Sequence, residues 1–175
     1  MGNPAGGQAV SDETLSEYEQ SILTHVEKFG CSVTHVFDPD QEEPDFSYSI
    51  GFSKTLDQGE VIVFGLARNL MQSMINEVMR QCREDGLILG DNVVISDLLE
   101  GFDVIARTIH PDRIEHEFFN SAIWFHRREF GTELKVAYQL VWPGTQQGLF
   151  PWDEGCDPYV IEQQPPLYEL EVAGG

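Results

Sequence analysis

Two stretches decide the fold class: Phe46-Ser47-Tyr48-Ser49-Ile50-Gly51-Phe52 and, after a polar loop, Glu60-Val61-Ile62-Val63-Phe64-Gly65-Leu66. Both are short, rich in aromatic and β-branched residues, and bounded by turn formers, with Pro44 before the first and Lys54, Asp57 and Gly59 between the two. Such runs pack well on a pleated surface and read as strands. Upstream, Cys31 to Phe37 alternates with β-branched residues and is a third strand, closed by the acidic turn Asp38-Pro39-Asp40. Three consecutive strands with short connections favour an antiparallel meander.

Working outward, Leu15, Tyr18, Ile22, Val26 and Phe29 recur at helical spacing, with Ser11-Asp12-Glu13 as the start signal and Gly30 as the stop. A second helix follows from Leu70, Met71, Met74, Ile75, Val78, Met79 and Cys82, whose methionines are gap fillers of a core. After the Gly90-Asp91-Asn92 turn, Val93 to Ile95 is a short apolar run, and Phe102 to Ile109 is a strand between Gly101 and Pro111. Ile114 to His126 reads as a helix and Leu134 to Trp142 as a strand ended by Pro143-Gly144; the proline-containing remainder is expected to wrap over the surface. The whole predicts an α+β fold, a mainly antiparallel sheet of about five strands packed with two to three helices. Residues 1–10 are expected to form a flexible leader, 11–160 a single domain and 161–175 a C-terminal tail.

The 175 residues suit one core, and 41% hydrophobic with 11% aromatic residues supplies it. Cys31, Cys82 and Cys156 are odd in number and widely spaced, with no Cys-x-x-Cys pair, which suits a reducing, cytoplasmic setting. No apolar run is long enough to span a bilayer, no secretory signal opens the chain, and Gly6 stands where a myristoylation motif wants Ser or Thr. Thirty acidic residues against 10 basic ones give a net charge of −20, a field that repels a nucleic-acid backbone and attracts basic proteins.

The ordered set Phe46-Ser47-Tyr48-Ser49-Ile50-Gly51-Phe52, Glu60 before the apolar strand, Phe64-Gly65-Leu66, Gln139-Leu140-Val141-Trp142-Pro143 and Pro151-Trp152 resembles the bacterial family called domain of unknown function 4262. The likeness runs from about Gly30 to Pro158, with Ser49 where that pattern usually has Thr and Phe52 where it has Leu. It implies no activity and marks where a site would lie. A looser similarity of pattern links the Gly51-Phe52-Ser53 turn and Glu60 to suppressor-of-fused-like domains, many of which act as toxin immunity proteins; fold analogy does not establish function.

Arg107, Arg113, Arg127 and Arg128, with His110, His116 and His126, concentrate the scarce cationic and titratable groups near the centre of the chain. Arginine forks suit phosphate or carboxylate and histidine suits proton transfer, so Arg107, His110, His126 and Arg127 are candidate ligand-binding residues; pairing with Glu115, Glu117 and Glu129 is the competing use. Tyr48, Ser49 and Gly51 are the candidate opposite wall, and Trp142 and Trp152 candidate aromatic panels. No Gly-x-Ser-x-Gly elbow surrounds Ser47, Ser49 or Ser53, no glycine-rich phosphate loop is present, and His110, His116, Glu115 and Glu117 lack metal-site spacing, so no metal or cofactor is expected.

These features favour an acidic cytoplasmic interaction protein of the immunity or inhibitor kind, directed at a basic protein partner. The alternative is an enzyme or receptor for an anionic, phosphorylated or nucleotide-like molecule. The latter requires the Tyr48 motif and the Arg107 to Arg128 segment to share one pocket.

Overall fold

The computed structural model describes residues 14–170. The expected leader, and the start signal at Ser11, lie outside those residues. Helix α1 (Glu17–Phe29) opens instead on Ser16, whose hydroxyl accepts the Glu19 N–H while the Glu19 side chain accepts the Ser16 N–H. This reciprocal capping box satisfies two donors that the first turn leaves without partners. Gly30, left-handed at φ 92°, ends the helix.

Six strands then form one mixed sheet: β1 (Ser32–Val36), β2 (Phe46–Ile50), β3 (Glu60–Phe64), β4 (Val93–Leu99), β5 (Phe102–Thr108) and β6 (Ala137–Val141), in the order β1-β2-β3-β6-β5-β4. The meander β1-β2-β3 is antiparallel, as is the run β6-β5-β4. The two halves join through β3 and β6, the one parallel pair. The α+β class and the largely antiparallel sheet are therefore as the sequence predicts. The sixth strand is β4, which runs past Ile95 through a register shift at polar Ser96 and Asp97.

Helix α3 (Arg68–Glu84) covers one face of the sheet, where Met71, Met74, Ile75, Val78 and Met79 meet Val61, Val63, Val104, Ala106 and Leu140. Helices α1 and α4 (His116–Phe130) cover the other, packing Ile22, Val26, Phe119 and Ile123 on Tyr48, Ile50, Ile62 and Phe64. Strand β3 is thus enclosed on both faces, which is why Val61 to Phe64 reads as an unbroken apolar run. Two short helices complete the fold, α2 (Phe52–Thr55) after the Gly51 turn and α5 (Pro158–Gln163).

The segment after α5, expected on the surface, instead closes the core. Leu167 is fully buried, the Gln164 side chain bonds both main-chain groups of Trp142, and the Gln139 side chain donates to the Pro165 carbonyl and accepts the Leu167 N–H. Two buried glutamines thereby supply the hydrogen bonds that an irregular segment lacks. No helix among the described residues is long and apolar enough to cross a membrane.

Candidate functional site

Glu60 opens β3 with a carboxylate, and period-two alternation puts it on the core face that carries Ile62 and Phe64. It is 1% exposed. The β2–β3 ladder ends at Tyr48 opposite Ile62, and beyond that point side chains replace main-chain partners. Oε1 of Glu60 accepts the Ser49 hydroxyl at 2.7 Å and the Phe52 N–H at 3.1 Å; Oε2 accepts the Gly51 N–H at 3.0 Å and the Ser53 hydroxyl at 3.4 Å. Ser49 Oγ accepts the Val61 N–H at 2.9 Å. Burial pushes the Glu60 carboxyl up to about 7, against the downward pull of these donors.

Gly51 makes this nest. Its φ is 108°, and a Cβ there would lie 2.9 Å from Cγ2 of Val26, so both the turn and the approach of α1 require glycine.

From Glu60 the hydrogen bonds lead outward. Ser53 Oγ lies 3.4 Å from Nδ1 of His126 on α4, and His126 Nε2 lies 3.3 Å from Thr132 Oγ1. Burial depresses the His126 pKa, with Glu133 opposing it, so the imidazole is neutral near pH 7. Ser53 and His126 line a cleft of about 460 Å³ at the ends where β3 and β6 begin. Ile88, Leu89, Leu134, Val136 and Tyr138 give it apolar walls; its charged lining is Asp57, Glu133, which Arg127 neutralises, and Lys135, a cation without a carboxylate partner among the described residues. At Gly59 a Cβ would sit 2.7 Å from the Val136 carbonyl oxygen, so glycine is needed for this rim to close.

The residues expected to form one composite pocket are dispersed. Tyr48, Ile62, Gln139 and Arg107 stand opposite one another across β2, β3, β6 and β5, which separates Tyr48 from Arg107 by three strand spacings, about 14 Å. Buried Ile62 and Gln139 fill that interval, so Tyr48 and Arg107 do not share a pocket. Tyr48 is a core residue, stacked on Phe46 and met edge-on by Phe119. Arg107 bonds Asp91 at 3.0 Å and lies over the rings of Trp152 and Tyr168, at 5.0 and 4.7 Å. Trp152 therefore does meet Arg107, as part of a stacked latch on the C-terminal segment.

Trp142 is buried, its Nε1 donating to the Phe64 carbonyl. His110 accepts the Asp112 N–H at the start of a 3-10 turn, Pro111–Arg113. Arg127 is bound through two nitrogens to Glu133, each at 2.6 Å. His126 alone of the cationic segment faces the cleft beside Ser53. Ser49 and Gly51 hold Glu60 from behind. Ser53 and Glu60 are the residues that motif reasoning passed over as site groups. The signal for Glu60 was a lone carboxylate in phase with Ile62 and Phe64.

The fold is an α+β sandwich with a buried acid wired to a surface cleft, and the family model described as Domain of unknown function (DUF4262) matches residues 25–157. The chain belongs to that family. No curated protein and no solved structure matches it.

Proposed function

We propose that the chain binds a small molecule in the cleft between Ser53 and His126 and exchanges a proton with it there. The supporting observation is the chain of hydrogen bonds from buried Glu60 through Ser53 to Nδ1 of His126. Contacts of 3.4 Å on either side of Ser53 are loose, and a bound group that tightens them completes a relay. Ser53 has one hydrogen, so in the relay it turns from Glu60 Oε2 to Nδ1 of neutral His126 and passes there as Ser53 Oγ takes a proton from the ligand. Glu60 then faces the resulting imidazolium through the same hydroxyl.

The lining suits a molecule with an apolar body and one hydrogen-bonding or acidic group, which Lys135 would pair. The anionic-ligand reading thus moves from Arg107 and Arg127, both engaged with carboxylates, to the cleft. Screening a small-molecule library by ligand-observed NMR tests it, with Ser53→Ala and His126→Ala variants run beside the parent chain. Hits that bind the parent and are lost in both folded variants are expected; hits indifferent to both substitutions would sink the reading.

A second reading, an acidic interaction protein for a basic partner, is favoured by a different place. A groove of about 660 Å³ is lined by Asp38, Glu42, Glu43, Asp45 and Glu162 with no basic residue, and exposed Phe37 flanks it. Association there would be salt-sensitive. Capture of a basic protein at low salt that survives charge removal at Glu42, Glu43 and Glu162 would count against it. A cytoplasmic setting accords with free Cys31, Cys82 and Cys156.

A further inference from the structure

A basic groove runs along the open edge of the sheet. Arg68, Gln72, Asn76, Arg80 and Arg83 follow one another on α3 at intervals of four, four, four and three, so they form one stripe on a single helical face. The stripe and strand β1 line a groove of about 590 Å³, with His25 and exposed Phe29 at the α1 end. Three of the ten Lys and Arg residues of this chain stand here, against one lining carboxylate, Glu84. Arg80 is engaged with Glu77 and Asp85. Arg68 and Arg83 have no ion pair among the described residues.

Strand β1 runs antiparallel to this stripe. At its start, a Cβ on Gly30 would lie 2.1 Å from Nη2 of Arg83; near its end, Nε2 of His35 meets Oε1 of Gln72 at 3.1 Å. Among the described residues, strand β1 pairs only with β2. Its outer edge therefore presents unpaired main-chain donors and acceptors, the template on which an extended chain can add. The stripe from Arg68 to Arg83 is about 22 Å long, the span of a strand of six or seven residues.

We propose that β1 accepts an extended acidic peptide segment of a partner as a seventh strand, its alternate Asp or Glu side chains turned toward Arg68 and Arg83. The intervening side chains would turn to the other face, beside Thr34 and Tyr18. Charge complementarity selects the occupant: within a Debye length of about 8 Å the unpaired arginines govern the field, whatever the net charge of the whole chain. A small anion would pair one arginine and leave the strand edge unused. An added strand engages both.

The test is to pan a displayed library of random 12-residue peptides against the full chain and against an Arg68→Ala/Arg83→Ala variant whose fold is verified by circular dichroism. Peptides with acids at alternate positions are expected, with at least tenfold weaker binding to the variant. Hydrogen exchange of the bound complex should slow at the amides of residues 32–36. Selection of basic or unpatterned peptides, equal binding to both proteins, or protection that maps away from β1 would overturn the proposal. An Arg68→Gln/Arg83→Gln variant, which keeps the stems, separates loss of charge from loss of packing.

Discussion

The Tyr48 hydroxyl on β2 accepts the main-chain N–H of Ser121 on α4 at 2.9 Å, two residues beyond the point where α4 departs from helical geometry. At that point Phe119 adopts φ −136° and ψ 29°, a break in the helical geometry just before the Ser121 N–H that meets the sheet. The ring of Phe119 meets Tyr48 edge-on, with centroids 5.7 Å apart. Sheet and helix are thus fastened where the helix is broken, and burial raises the Tyr48 pKa so that the phenol stays neutral. Tyr48→Phe is expected to cost about 1 to 2 kcal/mol, because it strands a partly buried donor while preserving the ring. Urea unfolding measures this, and an unchanged midpoint would show that Ser121 finds another acceptor.

Glu60 sets a pH dependence with a definite sign. Its folded carboxyl titrates near 7 whereas a free one titrates near 4.5, so the folded state holds the proton more tightly. The native chain therefore loses stability as pH rises from about 4.5 to 7, by an amount on the order of 3 kcal/mol from this group. Glu60→Gln cannot titrate. Unfolding free energies at pH 5 and pH 8 should show the parent losing ground to the variant, and parallel curves would refute the assignment.

At Gly51, Gly51→Ala combines a left-handed backbone with a contact against Val26 of α1 and displaces the N–H that Glu60 accepts. The cost should be about 2 to 4 kcal/mol from strain and overpacking together. Thermal unfolding checks it. Gly86→Ala, where φ is 76° and no atom stands within 4 Å of the new Cβ, is the control and should cost clearly less.

Much of this architecture was legible because β2 and β3 carry period two and α3 carries helical period, and each is enclosed by its neighbours. The parallel β3–β6 pair was not, since strand order is set by which chains pack between α3 and α4, and nothing local to Leu134–Trp142 encodes its direction. Glu60 was visible as a motif letter, but its role depends on Ser53 and His126, which are 73 residues apart in sequence. Serine and histidine each have many bland uses, so only their approach in space makes them a site. The Arg68 to Arg83 stripe was hidden for a simpler reason. The stripe flanks the apolar face of α3 and shares its helical spacing, with Met79 between the two, so in the sequence the basic positions merge with the core pattern.

Arg107 offers the last test. Its guanidinium is almost enclosed, held by Asp91 and set over Trp152 and over Tyr168, the latter on the segment that closes the core. Isolated cation–π contacts contribute about 0.5 to 2 kcal/mol, and two rings share this cation. Arg107→Ala is expected to destabilise by about 2 to 3 kcal/mol, as truncation of a buried, hydrogen-bonded charge does. Arg107→Lys keeps the charge but loses the planar fork, so it should fall between the two. Because Leu167 is tied to Gln139 and His110 beside this latch, amide exchange at Leu167 should quicken in Arg107→Ala before the α3 core opens. Uniform acceleration across the chain would instead mean that the latch has no local hold and that Arg107 acts only through global stability.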